Sequence, residues 1–318
     1  MLSEKFVIYK MRGILGIEVP FDDVFFDDSK GIVCSIDSFV GSVDLPPGMN
    51  FFNVGWKAVT SGVSDLICKG VSPDIINFSV VLPNNFKKAD INRLALGIKS
   101  AAAYYRSRIG KCDTNRGEDF VLTICTIGFA NFPIPSRNKV NPGDRIVVTD
   151  YFGFERFALD ILLGNINYYG KFRNVILDRF LNPKINFDMV IWAVKEGFVS
   201  GSIDSSDGLA RSLYEISRES KVKIIIERLP TPDWLIKIFN RLSLDMDKYV
   251  LYGGEEYIPI LFIHGDLWGE FVKLANRYGF DFIYIGFVKE GDGVYINKEG
   301  NLLRVKDAGW DALTGYTL

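Results

Sequence analysis

Acidic residues recur in this chain beside hydroxyls and glycines. The densest case is "SIDSSDGLARSL", Ser202 to Leu213. Asp204, Ser205 and Ser206 are residue types whose side chains accept free N–H groups at a helix start. Asp207 would add a negative charge to the first turn, where the helix dipole favours it. Leu209, Leu213 and Ile216 then repeat at helical spacing. A single cap needs only one such residue, and this stretch offers four. It therefore reads either as a helix entry alone or as one that also holds a phosphate or a metal ion.

Other acids fall at the ends of apolar stretches. Asp22 and Asp23 follow Pro20, and Asp37 sits late in the strand-like "GIVCSIDSF", with Asp44 in the loop beyond. Asp65 adjoins Ser64, Asp113 precedes "TNRG", and Glu255 and Glu256 follow Gly253–Gly254. Each alone fits a solvated charge or a cap. Several have apolar neighbours on both sides, which argues against full solvation. Carboxylates clustered without His or Cys suit a hard cation such as Mg²⁺, which takes oxygen ligands and is commonly shared between a few carboxylates and substrate phosphates. Gly-Gly and Ser-Asp-Gly turns let backbone N–H groups approach phosphate oxygens. Together they point to metal-assisted phosphoryl transfer.

Other chemistries lose support. The one histidine is His264, and no serine near it has a nucleophile-elbow pattern, which argues against a Ser-His-Asp hydrolase. Cys34, Cys68, Cys112 and Cys125 form no CxxC pair, so zinc and disulfides are not expected. The nearest approach to a Walker A loop is "RIGKCD", with Cys112 in the hydroxyl position, and no GxGxxG occurs. A net charge of −2 gives no bulk attraction to nucleic acid or acidic membranes. No apolar run reaches the roughly 18 residues of a membrane span, and "MLSEKFVIYKMRG" has no secretory h-region. A soluble, cytoplasmic protein is expected.

Strand-like and helical stretches alternate without a strict βαβ rhythm, so the expected class is α+β (mixed α/β). A helix is expected over "NVGWKAVTSGVSDLICKG", capped by Asn53 and stopped by Gly70, and another over "ADINRLALGIKSAAAYYRSRIG"; later, a polar loop is expected between the helices "FERFALDILLG" and "NFDMVIWAVKEG". The Pro-rich "NFPIPSRNKVNPGDR" marks a boundary near residue 140, giving expected domains of 1–140 and 141–318.

The order of elements resembles the thiamine-monophosphate kinase family. That family belongs to the superfamily of aminoimidazole ribonucleotide synthetase, selenophosphate synthetase and the hydrogenase maturation dehydratase. The likeness rests on "DD" at Asp22, "SIDSFVGSVDLP" from Ser35, "VGWKAVTSGVSDLICKGVSP" from Val54, "DTNRG" from Asp113, "IDSSDGL" from Ile203, "YGGEEYIPILF" from Tyr252 and "GWDALTGY" from Gly309. It implies an N-terminal sheet-and-helix domain that closes a barrel with its copy in a homodimer, and a sandwich-like C-terminal α/β domain. It also implies ATP and several Mg²⁺ ions in a groove, with the γ-phosphoryl group passing to thiamine monophosphate.

Carried over by residue, the resemblance makes Asp22, Asp23, Asp37, Asp65, Asp113 and Asp207 metal ligands. Ser38, Lys57, Lys111, Thr114, Arg116 and Gly208 fall on the nucleotide side. Asp204, Ser206 and Asp207 fall at the transferring group, and Asp44, Glu255 and Trp310 at the thiamine moiety. The sequence departs from the family pattern at Phe21, Asp44, Gly62, Lys111–Cys112, Ser212, Glu256, Ile258 and the turn Gly153–Arg156. Those departures keep two further readings open: another ATP-dependent phosphotransferase or ligase of the superfamily, or a nucleotide-binding homologue without catalysis.

Overall fold

A computed structural model describes residues 2–17 and 22–316; Phe21 lies outside them. The first half opens with helix α1 (Glu4–Leu15), strands β1 (Phe25–Asp27) and β2 (Ile32–Val40), a short helix α2 (Gly41–Asp44) and the long helix α3 (Phe51–Cys68). Strand β3 (Ile75–Leu82), helix α4 (Lys88–Tyr104) and strands β4 (Arg108–Arg116) and β5 (Val121–Phe129) follow. The strands form one sheet in the order β1-β2-β5-β3-β4, antiparallel except for the β3–β4 pair.

Period-two burial in β5 points Leu122, Ile124 and Thr126 at α3, while Phe129 stays exposed. In β2, Ser35 and Asp37 face inward and Ile36 outward, 72% exposed. Among the described residues, the outer face of this sheet thus exposes Ile36 and Phe129, beside the hydroxyls of Ser38 and Thr123. Helix α4 packs across α3 where two glycines meet: a Cβ on Gly55 would lie 2.4 Å from the Leu94 carbonyl oxygen, and one on Gly97 would lie 2.1 Å from that of Phe52.

The second half begins with β6 (Arg145–Val148), helices α5 (Glu155–Leu162), α6 (Arg173–Leu181) and α7 (Asp188–Lys195), and β7 (Val199–Ile203). Next come α8 (Leu209–Ser220), β8 (Val222–Ile226), α9 (Asp233–Arg241), α10 (Met246–Leu251) and β9 (Ile260–Ile263). Helix α11 (Trp268–Tyr278) and strands β10 (Ile283–Glu290), β11 (Val294–Lys298) and β12 (Asn301–Arg304) complete it. The sheet runs β12-β11-β8-β10-β6-β9-β7, with one parallel pair, β8–β11. The class is mixed α and β, as the alternation of stretches implied.

The two sheets share one apolar core, and α3 is the joint between them. Trp56 Nε1 and Thr60 Oγ1 donate to the Pro183 carbonyl at 2.7 and 3.1 Å, which explains why α3 is buried nearly all round.

Four sequence expectations need correction. Helix α3 starts earlier than expected: Asn50 is the cap, and Asn53 is its reciprocal partner in a capping box. Helix α4 ends at Tyr104, because Arg106 turns into the left-handed region at φ 59° and the Arg108 N–H joins the Asp74 carbonyl. The residues beyond form β4 rather than more helix. Helix α6 lies where a polar loop was expected. The acids and serines at 204–207 do not cap α8; Gly208 at φ 111° holds that position with no side-chain bond. They are therefore left for other work.

Candidate active site

A cavity of about 340 Å³ opens where the two halves meet. Helix α3 supplies one wall through Lys57, Ser61, Ser64 and Asp65, which share a face at i, i+4, i+7 and i+8. Strand β2 adds Asp37 and Ser38, and α2 adds Asp44. The loop after β7 brings Asp204, Ser206 and Asp207. Glu255 and Tyr257 come from the loop after α10, Trp310 from the C-terminal turn, and Glu4 from α1.

Backbone bonds lock the three C-terminal segments together. Glu255 N donates to Ser206 O at 2.5 Å, Tyr257 N to Ser205 O at 2.9 Å, and Trp310 N to Asp207 O at 3.0 Å. Glu255 and Tyr257 both hold positive φ, 66° and 52°. That conformation is costly for residues with a Cβ, and such strain tends to gather at functional sites.

The carboxylate oxygens of Asp23, Asp65 and Asp204 lie within 4.8 Å of one another. Hydroxyls orient them: Ser64 Oγ donates to Asp204 Oδ2 at 2.6 Å, Ser35 Oγ donates to Asp65, and Ser61 Oγ donates to Asp37. Burial, then the charge of Asp23, pushes Asp204 up to about 7. Burial, then Asp204 and Asp23, lifts Asp65 well above the carboxylate range, and burial raises Asp37 too. Asp207 rises to about 7, first through burial and then through Glu4; Arg211 at 3.6 Å only partly offsets this. Burial brings Asp44 to about 6. Asp23 differs: although burial disfavours its charge, Arg137 and Lys69 hold it well below the usual range.

Carboxyls crowded this closely repel one another when ionised, and among the described residues no lysine or arginine pairs with Asp65 or Asp204. An all-oxygen donor set with excess negative charge fits a hard divalent cation. Asp65 and Asp204, with Asp23 and Asp37 beside them, are the residues placed to hold one.

The remaining expected residues divide. Lys57 is buried, 3.0 Å from Glu255 Oε2 and over the Phe180 ring at 3.6 Å. Trp310 packs edge-on to Tyr316. Gly208 does not line the cavity; a Cβ there would lie 3.1 Å from the Gly253 carbonyl oxygen, so the glycine lets the start of α8 pack against the loop after α10. Asp22 does not line the cavity; its carboxylate is engaged by Lys69, Ser136 and Arg137. Lys111, Asp113, Thr114 and Arg116 lie on β4, an exposed edge strand away from the cavity. Cys112 sits among them as an exposed thiol.

Sequence reasoning missed Ser61, Ser64, Tyr257, Glu4, Lys69 and Arg137. The α3 spacing 57-61-64-65 was the available signal for the first two. The others depend on contacts between segments far apart in the chain.

In metal-free protein the raised carboxyls set a pH dependence. An acid whose folded pKa exceeds its unfolded value of about 3.9 stabilises fully below that value and loses the contribution as pH climbs through the folded one. For Asp204 and Asp207 the loss runs from about 4 to about 7. Asp23 and Glu215, held low, have largely finished titrating in both states by about pH 5.5 and leave the change between about pH 5.5 and 8 unaffected. In chelator, Tm should therefore be lower at about pH 8 than at about pH 5.5, and Mg²⁺ should raise it chiefly at the higher pH. Scanning calorimetry checks this; a profile that rises with pH would contradict it.

Comparison with known proteins accords with this geometry. Residues 21–130 match the family model of the AIR synthase related protein, N-terminal domain. A thiamine-monophosphate kinase of Nitrosopumilus maritimus is 29% identical over 97% of this chain and 98% of its own. One from Pyrococcus horikoshii is 32% identical over 95% and 91%. The solved structure of AaThiL complexed with AMPPCP and TMP superposes with a TM-score of 0.85 at 26% identity, covering 98% of this chain and 97% of its own. Likeness of this extent and level places the chain in the thiamine-monophosphate kinase family.

Proposed function

We propose that this chain transfers the γ-phosphoryl group of ATP to thiamine monophosphate, giving thiamine diphosphate. The observation that carries the reading is one cavity lined by buried carboxyls of Asp37, Asp65 and Asp204 together with Lys57, Glu255 and the Trp310 ring. The relative of known structure was captured with AMPPCP and TMP.

Moving a phosphoryl group between two phosphates requires two polyanions to approach in line. The protein's work is positioning and charge neutralisation. Asp65 and Asp204, with Asp23, Asp37 and Asp207, would hold Mg²⁺, which when bound neutralises phosphate charge. Ser38 and Lys57 are assigned to the nucleotide. Ser206 and Asp207 would flank the transferring group at the start of α8, whose free N–H groups favour an anion. Trp310 would face the cationic thiazolium through cation–π attraction, with Glu255 and Asp44 supplying negative charge nearby.

Residues 1–140 would carry the metal and nucleotide, and 141–318 the substrate side. The outer face of the five-stranded sheet, with Ile36 and Phe129, is assigned to a second copy of this chain. Lys111, Asp113, Thr114 and Arg116 belong to the nucleotide site only with that copy in place.

The test is turnover with γ-labelled ATP, Mg²⁺ and thiamine monophosphate. Label should appear in thiamine diphosphate. Binding of both ligands without product would refute catalysis, and label on a different acceptor would refute the substrate.

A further inference from the structure

Lys69 has no part in the mechanism above. It follows the last residue of α3 and is fully buried. Its ammonium lies 2.6 Å from Asp22 Oδ1, 2.6 Å from Asp23 Oδ2 and 2.7 Å from the Ser202 carbonyl oxygen. An ammonium has three N–H donors, and all three are used.

The partners are equally committed. Asp22 Oδ1 also accepts from Asp23 N at 2.9 Å, while Oδ2 accepts from Ser136 Oγ at 2.5 Å and Arg137 N at 3.3 Å. The other oxygen of Asp23 binds the Arg137 guanidinium. Asp22 thus has no oxygen free for another ligand, and both oxygens of Asp23 already face a cation. A divalent ion added between Asp22 and Asp23 would meet the Lys69 charge at ligand distance, in an interior where repulsion is weakly screened.

We propose that Lys69 is a resident cation for the Asp22–Asp23 pair. Its ammonium stands where a divalent ion would otherwise bridge the two aspartates, so Asp22 ligates no metal. Metal binding is confined to the Asp65–Asp204 side of the cluster. Lys69 is a positioning residue: it anchors the segment at Asp22–Asp23 to α3 and to the end of β7. The proposal rests on the reading of Asp65 and Asp204 as metal-binding residues.

The test counts Mn²⁺ bound per chain, by calorimetry and electron paramagnetic resonance with MnCl₂ alone. Asp22→Asn should keep the wild-type stoichiometry, with any loss of affinity no greater than the roughly 10–100-fold that a supporting partner costs. Lys69→Met should bind one more Mn²⁺ than wild type, and its Tm should gain more from Mn²⁺. A lost ion in Asp22→Asn would overturn the proposal. So would a folded Lys69→Met with unchanged stoichiometry. Should Lys69→Met fail to fold, Asp22→Asn decides alone. Wild type that binds no Mn²⁺ would overturn the underlying metal reading, and this proposal with it.

Discussion

Asp65→Asn should lower kcat by roughly 10³-fold or more while making the metal-free protein more stable. The two effects share one cause. Asp65 is buried against Asp204 and Asp23, and its charge is disfavoured until a cation arrives. Asparagine keeps an oxygen to accept from Ser35 Oγ and removes one negative charge. The gain in chelator should be on the order of 1 kcal/mol, moving Tm by about 1–2 °C. The loss in turnover reflects several kcal/mol of phosphate-charge stabilisation, at about 1.4 kcal/mol per decade. Calorimetry in chelator and steady-state kinetics in Mg²⁺ measure both. Lowered stability together with intact turnover would mean that Asp65 is a structural acid.

Asp207→Asn should cost roughly 10²–10³-fold in kcat with little change in ATP affinity. Its side chain is about a third exposed (34%), and its nearest cation is Arg211 at 3.6 Å, so no buried network collapses without its charge. Its backbone oxygen, which receives Trp310 N, is untouched by the substitution. The rate should fall without unfolding, which circular dichroism and nucleotide titration would confirm. A near-normal rate would remove Asp207 from the mechanism.

Parts of this site were legible in the sequence because they are local. Lys57 and Asp65 lie eight residues apart in one helix, a spacing that puts both on the same face. The Asp204–Asp207 stretch carries more polar groups than a helix start can use, and the structure leaves the cap to Gly208. β4 was not legible: its residues, among them Arg108, Lys111, Asp113 and Arg116, are polar and exposed on both faces, so no period-two pattern marks a strand. Its place is set by parallel pairing with β3, a tertiary effect that overrides local preference.

Lys69 reads in sequence as an ordinary charge at a helix end. Its burial depends on Asp22, Asp23 and Ser202 converging from three separate segments. The same holds for Glu255 and Trp310, which reach Asp204–Asp207 through backbone bonds that no residue type encodes. Residue types announced the chemistry, and long-range packing decided which acids share it.

In the proposed reaction Asp65 and Asp204 hold a divalent cation against a polyphosphate in the cavity. Crystals soaked with Mn²⁺ and AMPPCP test it directly through anomalous scattering. A peak is expected within about 2.0–2.4 Å of carboxylate oxygens of Asp65 and Asp204, with the nucleotide phosphates on its open side. Phosphates bound elsewhere, with no peak between those two aspartates, would contradict it.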